Sequence, residues 1–157
     1  MADAQWDLMV AISFLNDVEE KFSNKRNTSE YFFETNATDL LEKGDFIFAL
    51  RRIQSAEAQG ADGKAVRAMA KELEGRIAGS ITTTDDRERQ QWRIRSNQAF
   101  TDAVQLEPTA MRWYRLGLSH KAFGSMDHAI TCLSQAESMA EGDLKLEAAK
   151  AIDRCKG

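Results

Sequence analysis

A single proline in 157 residues leaves little to interrupt helices, because proline's fixed φ and missing N–H are what break them. The chain also lacks the alternating runs of β-branched and aromatic residues that build sheets, so essentially no strand is expected. No window approaches the roughly 18 consecutive apolar residues of a membrane-spanning helix, and no membrane insertion is expected. The start, MADAQWDLMV, has no basic segment followed by an apolar run, which points to a cytoplasmic location. The acceptor triplets Asn27-Thr28-Ser29 and Asn36-Ala37-Thr38 are then chance matches. Basic residues are not in excess either: 21 Lys and Arg against 25 Asp and Glu leave a formal net charge of −4. Proteins that grip phosphates usually show the opposite balance, so nucleic-acid binding is not the expected role.

Reactive side chains are equally scarce. Cys132 and Cys155 are the only cysteines; each lies in an amphipathic stretch and reads as a small buried apolar side chain rather than half of a disulfide. His120 and His128 are the only histidines, and neither the Glu-x-x-His nor the His-x-x-x-His spacing of a helical metal site occurs. His128 and Cys132 are one helical turn apart, but no third group is in view to orient a base. Gly60-Ala61-Asp62-Gly63-Lys64 suggests a phosphate loop only superficially. A GxxxxGK[ST] loop needs four residues between its glycines and a hydroxyl after the lysine, whereas here Ala61 and Asp62 intervene and Ala65 follows. No enzyme, cofactor or metal is expected.

What the chain does have is helical periodicity throughout. With 43% hydrophobic residues and 29% charged ones, residues 1–157 can form one sizeable all-α domain. Leu8, Ile12, Leu15, Val18 and Phe22 mark a first helix from Ala4 to about Phe22, closed by the polar run 23–29. Thr28 or Ser29 is placed to cap a second helix reaching Lys43. Gly44 then separates it from a third helix with Ala49, Leu50, Ile53 and Ala56 inward. Val66, Met69, Leu73 and Ile77 outline a fourth, stopped by Gly79 and the threonines 82–84. Thr84 or Asp85 caps a fifth, whose inward stripe is Trp92, Ser96, Ala99, Phe100 and Ala103 and whose arginines are Arg87, Arg89, Arg93 and Arg95. The residue before Pro108 is biased away from helix, so that helix closes near Leu106. Trp113, Leu116, Gly117 and His120 form one helix and Ala129, Leu133 and Ala136 the next, with Gly124 at the turn. A final helix with Leu144, Ala148, Ile152 and Cys155 on one stripe reads as a lid.

Internal repetition is visible in this pattern. Ala49, Leu50, Ile53 and Ala56 stand at the same distances beyond Gly44 as Ala129, Ile130, Leu133 and Ala136 beyond Gly124. Trp113, Leu116, Gly117, His120, Gly124, Ala129, Leu133 and Ala136 together resemble one full tetratricopeptide repeat, although His120 and Leu133 sit where an aromatic is commoner. Phe100, Ala103 and Pro108 are similar to the second half of a repeat whose first half is degenerate, with Ser80 and Thr83 where large residues should be, and Gly44 to Ala56 resembles another such half. The resemblance implies antiparallel hairpins stacked as a superhelix with a C-terminal capping helix, residues 1–80 forming a divergent half and 84–157 the repeat-like half.

The same resemblance implies a concave face, lined by the first helix of each pair, that holds a peptide or helix of a partner protein. In the best repeat that face carries Met111, Tyr114, Arg115, Leu118 and Lys121. Arg115 occupies a position used by relatives that clamp a C-terminal carboxylate, but Met111 stands where a lysine is wanted and the asparagine partners are missing. Size and acidity are similar to those of the small tetratricopeptide chaperones of bacterial secretion systems. The expected function is thus an adaptor or chaperone-like protein-interaction module. Two alternatives remain open: self-association as a homodimer through the first helix, with its Leu8, Ile12, Leu15 and Phe22, and nucleic-acid contact through the arginines of residues 87–95.

Overall fold

The computed structural model describes residues 2–25 and 37–157, and among them every regular element is a helix. The expected caps Thr28 and Ser29, and the triplet asparagines Asn27 and Asn36, lie outside the described residues. The helices are α1 (Ala2–Lys25), α2 (described over residues 37–42), α3 (Asp45–Ala58), α4 (Lys64–Ser80), α5 (Asp86–Leu106), α6 (Ala110–Ala122), α7 (Met126–Met139) and α8 (Gly142–Lys156).

The caps follow local chemistry. Asp85 accepts a hydrogen bond from the Glu88 amide and opens α5; Thr109 accepts one from the Arg112 amide and opens α6. Each satisfies an N–H that the first turn leaves without a helical partner. Gly44 and Gly124 both take positive φ, 63° and 80°, a conformation that a side chain would strain.

Long-range contacts sort the helices into antiparallel pairs. Near the start of α1, Asp7 accepts hydrogen bonds from Arg52 and Ser55 of α3 and from Gln59 just beyond it, while Lys21 near its end reaches Asp45. Three partners, Arg52 foremost by hydrogen bond and charge, then Ser55 and Gln59, hold the Asp7 carboxyl below its ordinary pKa against the opposing effect of burial. In the second pair Gly75 and Gly79 of α4 face Phe100 and Ser96 of α5, and in the third Gly117 of α6 faces Leu133 of α7. The pairs pack in series, with α4 against α1 and α3, α5 against α6, and α8 against α7 and α6.

The second member of each pair buries the same sequence of sizes at the same spacing: Ala49, Ile53, Ala56 in α3; Ser96, Phe100, Ala103 in α5; Ala129, Leu133, Ala136 in α7. A small residue on either side of a large one lets the partner helix ride close over the flanks while the large side chain fills the centre. The largest core joins α1 to α4, and two smaller ones lie around Leu116 and around Leu133.

Two expectations are corrected. The inward stripe of α1 is Ala4, Leu8, Ala11, Leu15, Val18 and Phe22, while Ile12 is 37% exposed. Spacings alternating between four and three keep one seam, and Ile12 lies one residue, about 100°, off it. Leu8, Leu15 and Phe22 are buried in the chain's own core. Gly79 does not stop α4: it lies inside the helix, where a Cβ would come 2.9 Å from Ser96 Oγ. Elsewhere α3 packs against α1, and α4 pairs with α5 across residues 81–85. Ser80 is the last residue of α4, and Thr83 lies in its connection to α5. Gly75, five residues upstream of Ser80, is what stands opposite Phe100 as Gly117 stands opposite Leu133.

A Cβ at Gly117 would lie 2.7 Å from Leu133 Cγ and 3.3 Å from the Ala129 carbonyl oxygen. Gly117→Val should therefore lower unfolding stability by about 1–3 kcal/mol through overpacking, measured as a reduced urea midpoint with an unchanged m-value.

Candidate functional site: a cleft between α4, α5 and α6

The close approach of α4 and α5 also opens a cleft beside it. Gly75 and Gly79, one turn apart on α4, place no side chains there, so Phe100 and Ser96 move in against bare backbone; Ser96 Oγ donates 2.7 Å to the Gly75 carbonyl. Next to this floor is a cleft of about 470 Å³. Its apolar lining includes Phe22 of α1, Phe100 of α5, and Leu118 and Ala122 of α6; its charged lining is Arg76 of α4, Arg93 of α5 and Arg115 of α6.

Acids behind the cleft hold two of these arginines in place. Arg76 Nη1 donates 2.6 Å to Glu19 Oε1, and its guanidinium carbon lies 5.6 Å from the Phe22 ring centroid. Arg115 Nε lies 3.0 Å from Glu72 Oε2, close enough for an ion pair, but its N–H is not aimed at the carboxylate. Burial, then the charge of nearby Arg76, pushes the Arg115 pKa down against the opposing pull of Glu72 and Glu19. Arginine side chains in proteins keep their charge, Arg115 included. Glu72 serves a second arginine: buried Arg112 donates from Nε to Glu72 Oε1 at 2.9 Å and from Nη1 to the Glu107 carbonyl and carboxylate at 2.8 and 2.9 Å. Arg112 and Glu72 thus lock α6 onto α4 at the height of the cleft.

Of the five residues expected on the binding face, the structure brings Arg115 and Leu118 into the cleft. Tyr114 packs against Leu133, Ala151 and Ile152 beneath α8. Met111 is exposed, Lys121 is half-buried, and neither lines the cleft. Helical geometry accounts for the split, since Arg115 and Leu118 face α4 and α5 whereas Tyr114 points around the helix toward α8. Sequence reasoning missed Phe22, Arg76 and Arg93. The available signal was Gly75-x-x-x-Gly79, a pair of side-chain-free positions on one face of α4.

The arginines of α5 do not form one strip. Arg89 pairs with Asp86 at 2.8 Å, and Arg95 pairs with Glu74 at 3.0 Å and lies over the Trp92 ring. Arg93 instead lines the cleft on the other side of α4, without an ion pair or hydrogen bond among the described residues.

The cysteines and histidines lie outside the cleft lining. Cys132 is buried, which raises its thiol pKa, and Cys155 is half-buried; both are free. His120 and His128 meet across the α6–α7 hairpin with ring centroids 5.4 Å apart, and Asn97 Nδ2 lies 3.4 Å from His120 Nδ1. Burial first, then the His128 charge, lowers the His120 pKa. Among the described residues, no three His, Cys, Asp or Glu side chains gather as a metal site requires, and no helix is long and apolar enough to cross a membrane.

No protein-family model and no curated protein matches the chain.

Glu72→Gln removes the charge shared by Arg112 and Arg115 and leaves the largely buried Arg112 underpaired. The expected loss of unfolding stability is about 1–3 kcal/mol, read from urea denaturation beside the wild-type chain.

Proposed function

We propose that this protein is a tetratricopeptide-like protein-interaction module, an adaptor or chaperone-like binder, whose working surface is the cleft between α4, α5 and α6. The observation that carries the reading is the coexistence, in one concave site, of an apolar floor and guanidinium donors contributed by three successive helices. Such a surface fits an extended or helical segment of another protein, which offers apolar side chains and acceptors together. A small-molecule active site would need a base or metal to activate a nucleophile such as serine, and the cleft lining contains no histidine, cysteine, carboxylate or lysine. The helix pairing supports the same reading in a second way. Three pairs built on one small–large–small pattern repeat a single packing solution, as solenoid repeats do, and stacking them leaves a face lined by successive helices.

Met111, Tyr114 and Lys121 fall outside the cleft, so the proposed contact set is Arg115 and Leu118 together with Arg76 and Arg93. The partner is a protein segment rather than a nucleic acid, since Arg89 is spent on Asp86 of α5 and Arg95 on Glu74 of α4.

Leu118 is 37% exposed at the cleft and is not needed to hold α6 in place. Leu118→Asp should leave the circular dichroism spectrum and urea midpoint close to wild type. It should also deplete the proteins captured from the native cell extract by at least about tenfold, the effect of roughly 1.4 kcal/mol. Capture of the same proteins in undiminished amount by the folded variant would remove the cleft from the function.

A further inference from the structure

We infer that the cleft selects an acidic side chain flanked by apolar residues: an internal glutamate or aspartate of the partner segment seats its carboxylate among Arg76, Arg93 and Arg115 while an apolar neighbour packs on the exposed Leu118. The inference rests on the cleft being the protein-binding surface and adds what kind of segment it takes.

Charge distribution is the first support. The chain as a whole carries net charge −4, yet the cleft is lined by three arginines and no carboxylate. Like charges held together repel, the more so where burial lowers the effective dielectric. Arg76 and Arg115 are near enough that the charge of one depresses the pKa of the other. A carboxylate arriving from outside relieves that repulsion.

Unspent donors are the second. Each guanidinium has five N–H donors. Among the described residues, Arg76 uses one of them in a hydrogen bond, to Glu19. Arg115 approaches Glu72 without hydrogen-bond alignment, and Arg93 makes no hydrogen bond. Glu19 takes one terminal N–H of Arg76 and Glu72 lies beside Arg115 Nε, which leaves the other guanidinium donors of both arginines without a hydrogen bond among the described residues. Planar forks of this kind match a carboxylate bidentately, which a cluster of lysines would not do.

The apolar floor is the third, since it distinguishes the ligand from a free anion. Phe22 and Phe100 are buried in the molecule but reach the cleft wall, and Leu118 is its exposed rim. A small anion would use the arginines and leave this surface wet, whereas a peptide with an apolar residue beside its acid uses both.

The test is isothermal titration calorimetry of the full chain with a short peptide of leucine, alanine and glutamate, acetylated and amidated so that its only charges are side-chain carboxylates. A matched peptide with glutamine for glutamate is the comparison. The glutamate peptide should bind at least about tenfold more tightly, and Arg93→Glu should abolish that advantage while keeping the wild-type fold by circular dichroism. Arg93→Gln gives the same reading if the charge reversal does not fold. Equal binding of both peptides, weakened by Leu118→Asp, would overturn the carboxylate assignment while leaving the cleft as the peptide surface. Absence of binding by either peptide would also overturn it, and the cleft would then stand on the capture experiment alone. Tighter binding of a single-stranded RNA oligonucleotide, lost in Arg93→Glu, would overturn it in favour of phosphate.

Discussion

Glu72 holds the two ends of the molecule together. It lies on α4, whose apolar face belongs to the large N-terminal core, and it pairs with Arg112 and Arg115 of α6, whose other face belongs to the C-terminal pairs. A partly buried carboxylate between two guanidiniums is worth keeping only if its geometry is held, because desolvation of each ion must be offset by its partners. Here α4 and Thr109 hold it: the Thr109 cap starts α6 at the position that brings Arg112 alongside Glu72. The separation of α4 from α6, and hence the width of the cleft, depends on this bridge.

Small residues set the other dimension. Gly75 and Gly79 let α5 press against α4, and Gly117 lets α7 press against α6. The pairs are tight, and the wider gap falls between them, where α4, α5 and α6 meet. A gap between tight pairs needs no cavity within any one core, so it is compatible with the close packing that protein interiors require. The arginines that reach it carry long apolar stems along the walls and put their charged ends at the opening.

The helices were legible because burial repeats at helical spacing: the stripes of α4, α5 and α7, the Gly44 and Gly124 turns and the Asp85 and Thr109 starts all appear where residue chemistry places them. The pairing was less so. Ala49–Ile53–Ala56 and Ala129–Leu133–Ala136 announce equivalent helices, but the partner of α3 is α1, with α2 between them in sequence, and contact across such an intervening segment leaves no local signal. The nine residues by which the α4–α5 pair is longer than the α6–α7 pair, counted from Gly75 to Phe100 against Gly117 to Leu133 (25 − 16), displaced the expected register onto Ser80 and Thr83. The cleft was half visible. Arg115 and Leu118 follow from the face of α6, whereas Phe22, Arg76 and Arg93 come from three other helices and meet only in the folded chain. Tyr114 shows the converse: an outward position on an isolated hairpin becomes an inward one once α8 packs over it.

An acidic chain that gathers arginines at its main concavity carries a local field opposite to its net charge, which favours acidic segments there while repelling them elsewhere. The most direct test of the central claim is a nitrogen–proton correlation spectrum of the full chain during titration with the glutamate–leucine peptide. The account predicts shifts concentrated at Gly75, Arg76, Gly79, Ser96, Leu118 and Ser119. Shifts confined to the outer faces of α1 and α3 or to α8, with those cleft amides unmoved, would contradict it.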